Sequence, residues 1–278
     1  MGILTSVRKT RYPIEHWSYS SLMAYLRNPL AWYKRYVEKV YDTPSGPAGV
    51  IGRAGHVALQ HFYGGLSKEA ATALGLEYLR KVPDFEINLG KAVSARAKKQ
   101  KRAEMEKDYE QAVSFYLARA PRYKKILGIE TAAIAEVPGL PLPIKAISDL
   151  VVESPAEKGA VDIVDHKFVD SFSTMRAEKP LFILQAIFNY YTVSQAFGRP
   201  VKRFILQECK KRRNKDGSSQ MRRYVIEYDK CADDFAVFDR LLTEATADIA
   251  VRKHYLPNPS DMFEGSNSFD IYRLGLGE

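Results

Sequence analysis

The stretch IVDHKFV, Ile163–Val169, runs apolar residues up to an acid, sets a lysine two positions later and turns apolar again. In a strand, side chains alternate between faces, so Val161, Ile163, Asp165 and Lys167 share one side. Two opposite charges ending an apolar face have two readings. One is a surface salt bridge where a strand leaves the core; the other is a carboxylate and an ammonium aimed at one small site. The pattern recurs upstream, where Asp149 interrupts AISDLVV and only ESPAEKGA separates the two segments. Paired as a hairpin, the segments set Asp149 beside Asp165. Two carboxylates that close repel, raising one pKa unless a cation lies between them. Hard oxygen ligands at this separation suit Mg2+ or Mn2+. Lys167 then gains a task, orienting or helping to deprotonate a metal-activated water and offsetting charge that develops on phosphorus.

Working outward, TAAIAEVPGL, LPIKAISDLVVE and GAVDIVDHKFV read as three consecutive strands punctuated by Pro/Gly turns. PLFILQAIFNYYTVSQAFG has helical length, a broad apolar face and a terminal Gly198. VKRFILQECK and SSQMRRYVIEYD read as strands joined across NKDG, and a last helix covers about 232–254. Before the strands the chain is helical. WSYSSLMAYLRNPLAWYKRY opens with N-capping serines and breaks at Pro29, with Trp32, Tyr33 and Tyr36 as core aromatics. GRAGHVALQHFY opens another helix, and a helical pattern from about 68 to 127 is interrupted at Pro83. This order predicts an α/β fold with helical additions in a single domain spanning 1–278. Its helical part covers about 17–128, the α/β core about 129–210, and the C-terminal hairpin and helix about 211–256.

The chain of 278 residues carries 42 Lys and Arg against 33 Asp and Glu, a net charge of +9 that favours an anionic partner such as nucleic acid. KAVSARAKKQKRAEMEK and KKRRNKDGSSQMRR concentrate that charge, making Lys211, Arg212 and Arg213 candidate phosphate contacts. No apolar run reaches the roughly 18 residues of a membrane span. The first residues lack an apolar leader, and two cysteines, Cys209 and Cys231, build no disulfide framework. These features predict a cytoplasmic protein with no membrane association.

Asp149, a spacer, then Asp165-His166-Lys167 resembles the PD-(D/E)XK nuclease superfamily, and the wider pattern resembles its RecB-like branch. SYSSLMAYLRNPLAWYKRY is similar to that branch's Ser-rich start and Pro-x-x-Trp segment. GRAGHVALQHFY resembles its Gly-x-x-x-His helix, with Gly52 and His56 in the matching places, and LQAIFNYY resembles its Gln-Tyr helix. The matches run in order from about 18 to 198. The resemblance implies a restriction-endonuclease-like core, a central mixed β-sheet flanked by helices with N-terminal helical additions. It also implies Asp149 and Asp165 as metal ligands, Lys167 as the catalytic lysine, His56 as a further metal ligand and the backbone carbonyl of His166 facing the metal. Gln185 and Tyr190 would contact substrate or support the site. Glu130 matches a less constant acidic position and stays outside the candidate set.

The sequence departs from the family pattern at three points. Asn28 stands where many relatives carry cysteine, so no iron-sulfur cluster is expected. Ala146 replaces a usual glycine. The spacing from Gln185 to Tyr190 is one residue longer than the common one, leaving Asn189 where tyrosine is expected. The implied activity is a divalent-metal-dependent DNA nuclease, most simply an exonuclease, with a partner in recombination, repair or phage replication. A structure-specific endonuclease, a catalytically silent DNA-binding module and RNA as substrate stay open at this point.

Overall fold

The computed structural model describes residues 12–40, 44–90, 92 and 94–258. The N-terminal residues in which no leader is read, and Lys91 of the first basic block, lie outside them. The chain divides into two compact units.

The first unit takes residues 1–42, 134–146 and 233–278. Strand β1 (Trp17–Ser18) pairs in parallel with Ile144 and Lys145. Helix α1 (Tyr19–Arg27) starts in a capping box, in which Ser18 and Ser21 satisfy each other's backbone N–H groups. Helix α2 (Pro29–Trp32) starts with proline at its first turn, and the Asn28 side chain accepts from Ala31 N at 3.1 Å. A π-helical turn, Tyr33–Val37, follows. Trp32 is core as expected; it stacks on Trp17 at 5.7 Å and meets the Tyr25 edge at 5.0 Å. Helix α7 (Ala232–Val251) lends Thr246, which accepts from the Trp17 indole at 2.9 Å.

The second unit takes residues 43–133 and 147–232. Helices α3 (Pro47–Tyr63), α4 (Lys68–Lys81) and α5 (Ala95–Ala118) precede strands β2 (Ile126–Ala135) and β3 (Ile144–Glu153), of which residues 134–135 and 144–146 count with the first unit, and β4 (Val161–Val169). Helix α6 (Met175–Phe197), β5 (Val201–Lys210) and β6 (Met221–Glu227) complete it. The helical pattern expected to run to 127 ends at Ala118, because Pro121 disfavours helix in the residue before it. Strand β2 accordingly begins at Ile126, five residues ahead of the expected start. Strand β3 runs antiparallel to β4, β4 parallel to β5, and β5 antiparallel to β6, with β2 also paired to β3. This is the expected mixed sheet flanked by helices. The 214–217 turn between β5 and β6 closes on Gly217 at φ 72°, a left-handed conformation that glycine adopts without strain.

Alternation along β4 sorts the two faces. Asp162, Val164, His166 and Phe168 look toward α3 and α5, where Tyr116 meets the His166 ring at 2.9 Å. Val50, Ala54, Leu59, Leu79, Tyr109 and Tyr116 fill that side. Ile163, Asp165 and Lys167 look the other way, toward Gln185 of α6.

Candidate active site

Strands β3 and β4 pair from Glu153↔Val161 to Leu150↔Val164. Continuing that register by one residue brings Asp149 across from Asp165. There the ladder gives way, and the His166 N–H donates to Asp149 Oδ2 at 2.6 Å. A carboxylate in place of a backbone acceptor makes a short charge-assisted bond and fixes the acid at the strand junction.

Helix α3 delivers His56, whose Nδ1 lies 3.4 Å from Asp149 Oδ2 and 3.8 Å from Glu130 Oε1. Glu130 reaches this point from β2 through a backbone at φ 46°, a left-handed conformation that costs a non-glycine residue roughly 1–3 kcal/mol. One donor atom each from His56, Glu130 and Asp149 lie within 4.8 Å of one another. Glu130 is the residue that the sequence reading left out. Its signal was a match to a less constant acidic position of the family pattern, one residue ahead of the strand expected from Thr131.

Asp165 is held from two sides. Gln185 Nε2 donates to its Oδ1 at 2.7 Å and Lys167 Nζ at 3.0 Å. Lys167 is also ion-paired to Oδ2 at 2.8 Å, but that oxygen is buried and makes no hydrogen bond among the described residues. The two aspartates therefore sit in different fields. Burial opposes ionisation of Asp149, yet the adjacent His56 outweighs it and holds the carboxyl well below the usual range. Burial raises Asp165, with Lys167 pulling the other way. For His56, burial opposes the charged form, and Asp149 with Glu130 overrides it, raising the imidazole to about 10. The His166 ring is pushed down to about 4 by burial and stays neutral against Tyr116 and Tyr63.

The other candidates are spread more widely. One turn from Gln185, Asn189 donates to the Gln185 carbonyl at 2.9 Å and accepts from Ser148 Oγ at 2.7 Å, beside Asp149. The residue standing where tyrosine was expected thus ties helix α6 to β3 beside Asp149. Tyr190 packs against Tyr191 and Tyr228, with ring centroids at 5.5 and 4.9 Å. Lys211 is only 3% exposed and its ammonium is held by Asp170 at 3.0 Å. Arg212 and Arg213 are exposed, the first 3.4 Å from Asp108 and the second over the Phe115 ring.

The donor set suits a hard divalent cation. Ligands bound at about 2.0–2.2 Å stand no more than roughly 4.4 Å apart, and His56 Nδ1 lies within that reach of both Asp149 Oδ2, at 3.4 Å, and Glu130 Oε1, at 3.8 Å. Asp165 lies outside that group, and its buried Oδ2 is ion-paired to Lys167 at 2.8 Å.

None of the curated proteins matches this sequence. Among solved structures, the one described as "Crystal structure of SSO0001" aligns at 12% identity over 85% of this chain and 84% of that one. Its TM-score of 0.32 is too low to bear on the fold. No helix among the described residues is long and apolar enough to cross a membrane. The sequence model of the PD-(D/E)XK nuclease superfamily matches residues 16–262, nearly the whole length, and the chain belongs to that superfamily of metal-dependent nucleases.

Proposed function

We propose that the protein is a divalent-metal-dependent deoxyribonuclease of the RecB-like branch, acting as an exonuclease. The observation that carries this reading is the meeting of Asp149 and Asp165 at the β3–β4 junction, with His56 and Glu130 on one side and Lys167 on the other. His56, Asp149, Asp165 and the carbonyl of His166 are the proposed metal ligands, with Glu130 added. A divalent cation held there would supply Lewis-acid stabilisation of the phosphate and make water a stronger nucleophile at neutral pH. The chain's own residues do the rest. Gln185 holds Asp165 in one rotamer, and Asp165 holds Lys167 extended toward the phosphate. Lys167 orients the attacking water and offsets charge on the non-bridging oxygens as the new P–O bond forms and the bond to the leaving oxygen breaks. Arg212 and Arg213 contact phosphates without regard to sequence, Tyr190 supports the substrate side, and both units serve one nuclease module. The RecB-like resemblance supports a role in recombination, repair or phage replication in the cytoplasm.

Incubation with end-labelled linear DNA and covalently closed circles, with Mg2+, Mn2+ or chelator, tests the reading. Metal-dependent loss of linear DNA with intact circles is the expected result. Rapid nicking of circles would replace exonuclease with endonuclease, and cleavage undiminished in excess chelator would overturn the mechanism. Two variants separate the roles. Asp165→Ala loses both calorimetric Mn2+ affinity and turnover, whereas Lys167→Ala keeps the affinity and loses turnover. Full activity of the Lys167 variant would remove the catalytic lysine.

A further inference from the structure

On the sheet face turned away from Lys167, a cavity of about 710 Å3 is lined by the 121–124 loop, the end of β3, and strands β5 and β6. Alternation separates it from the acidic centre, since Asp162 and its β5 partner Arg203 lie across the sheet from Asp165. Arg122, Lys124, Lys158 and Arg223 line it, and all four are exposed. None of the four is ion-paired to a carboxylate among the described residues, while the fifth lining cation, Arg203, is committed to Asp162. Glu153 alone of the lining acids is left to oppose them. Converging cations around a concave, low-dielectric wall focus a field that draws an anion in.

Charge alone does not describe this cavity. Gln207 lines it at 6% exposure, and its amide oxygen has no hydrogen-bond partner among the described residues. An amide so placed offers a donor and an acceptor together, and burying either without a partner is unfavourable. Beside it the walls are apolar, from Val152, Ile205 and the Tyr123 ring. A ligand matching all three features has a flat aromatic body with donor and acceptor edges at one end and several negative charges at the other. The volume lies within the roughly 300–1,000 Å3 of small-molecule sites.

We propose that this cavity binds a nucleoside di- or triphosphate, with the base against Gln207 and Tyr123 and the phosphates among the four cations. The site is separate from the nuclease centre and does not depend on how that centre acts.

Calorimetric titration of the full chain in excess chelator, which silences any metal site, tests it with ADP, GDP, CDP and UDP as probes. At least one binds at a single site with a Kd below about 1 mM, and pyrophosphate binds at least about tenfold more weakly. Lys124→Ala/Arg223→Ala and, separately, Arg122→Ala/Lys158→Ala each weaken that binding at least about tenfold while leaving the melting temperature unchanged. Because these side chains are exposed, two independent pairs guard against a folding artefact. The proposal is overturned if none of the four probes binds, if pyrophosphate binds as tightly as the best of them, or if both pairs of substitutions leave affinity as it was.

Discussion

Helix α3 carries His56 to the acids, and the preceding residue lies close against Phe168 of β4. A Cβ placed on Gly55 would lie 2.2 Å from Cε2 of Phe168, the residue after Lys167. Carbon atoms in contact sit about 3.5–4.0 Å apart, so Gly55→Ala demands a retreat of about 1.3–1.8 Å by the ring or the helix. The ring cannot move freely, since it packs beside Tyr116 and the helical core. Overpacking of this kind costs roughly 1–3 kcal/mol. The gain in helix propensity returns about 1 kcal/mol, leaving a net loss of roughly 0–2 kcal/mol. At about 2–4 °C per kcal/mol, the melting temperature falls by no more than about 8 °C. The larger effect is local. His56 stands 3.4 Å from Asp149, and a helix shift of even half the required retreat takes its nitrogen out of the ligand set.

Gly55→Ala is therefore expected to lose Mn2+ affinity out of proportion to its stability. In the Phe168→Ala background the same substitution has room, so it restores affinity and becomes stabilising. The coupling between the two sites in a double-mutant cycle should reach about 1–3 kcal/mol. Thermal denaturation and calorimetric Mn2+ titration of the four proteins measure both quantities. Additive effects, or a Gly55→Ala protein with unchanged affinity, would refute the argument, because the ring would then have yielded alone.

Further outcomes follow from other parts of the molecule. Replacing Arg212 and Arg213 with alanine should weaken DNA binding equally across sequences and flatten its log–log salt dependence by up to about one unit per phosphate contact; an unchanged slope would make both arginines ordinary solvated residues. Because Asn28 caps α2 and both cysteines are buried, protein purified without oxygen should contain no stoichiometric iron or sulfide, and finding both would reverse that expectation. In the first unit, burial opposes ionisation of Asp248, but bonds from Arg252 and Tyr25 outweigh it and hold the carboxyl below its usual value. Its contribution to stability is thus complete above the unfolded pKa of about 4 and lost as pH falls through the lower folded value. Asp248→Asn should accordingly destabilise at pH 7 and make no difference in strong acid, which denaturant titrations at the two pH values will show.

Asp149, Asp165 and Lys167 were legible because a period of two places charge on faces that are otherwise apolar, and the register of β3 with β4 is what that pattern requires. Glu130 was matched only through the family resemblance, at a less constant position, and periodicity gave it no support. Its φ of 46° breaks the alternation of β2, so no periodic reading predicts where its carboxylate points. The block at 210–223 was visible only as charge. That Lys211 is buried on Asp170 while Arg212 is exposed depends on a partner 41 residues away. Helical periodicity could not reveal that Gly55 and Gly75 are contact points. A Cβ at Gly75 would meet the Tyr109 hydroxyl at 2.1 Å and the Ala54 carbonyl at 2.5 Å, contacts created only when α3, α4 and α5 assemble.

Asp149 and Asp165 share a residue type and a junction, but their surroundings divide the work proposed for them. Asp149 meets His56 and a backbone N–H, both of which favour its charge, so it is ionised throughout the neutral range and ready as a ligand. Asp165 is buried, and its charge is sustained chiefly by Lys167. Its Oδ1 is taken by Gln185 and Lys167, which leaves Oδ2 as the oxygen free of hydrogen bonds. A cation approaching that oxygen meets an ammonium 2.8 Å from it, and like charges so close repel strongly in a partly buried setting. The ammonium that sustains the charge of Asp165 would therefore compete with a cation for Oδ2, while its bond to Oδ1 leaves that contact intact.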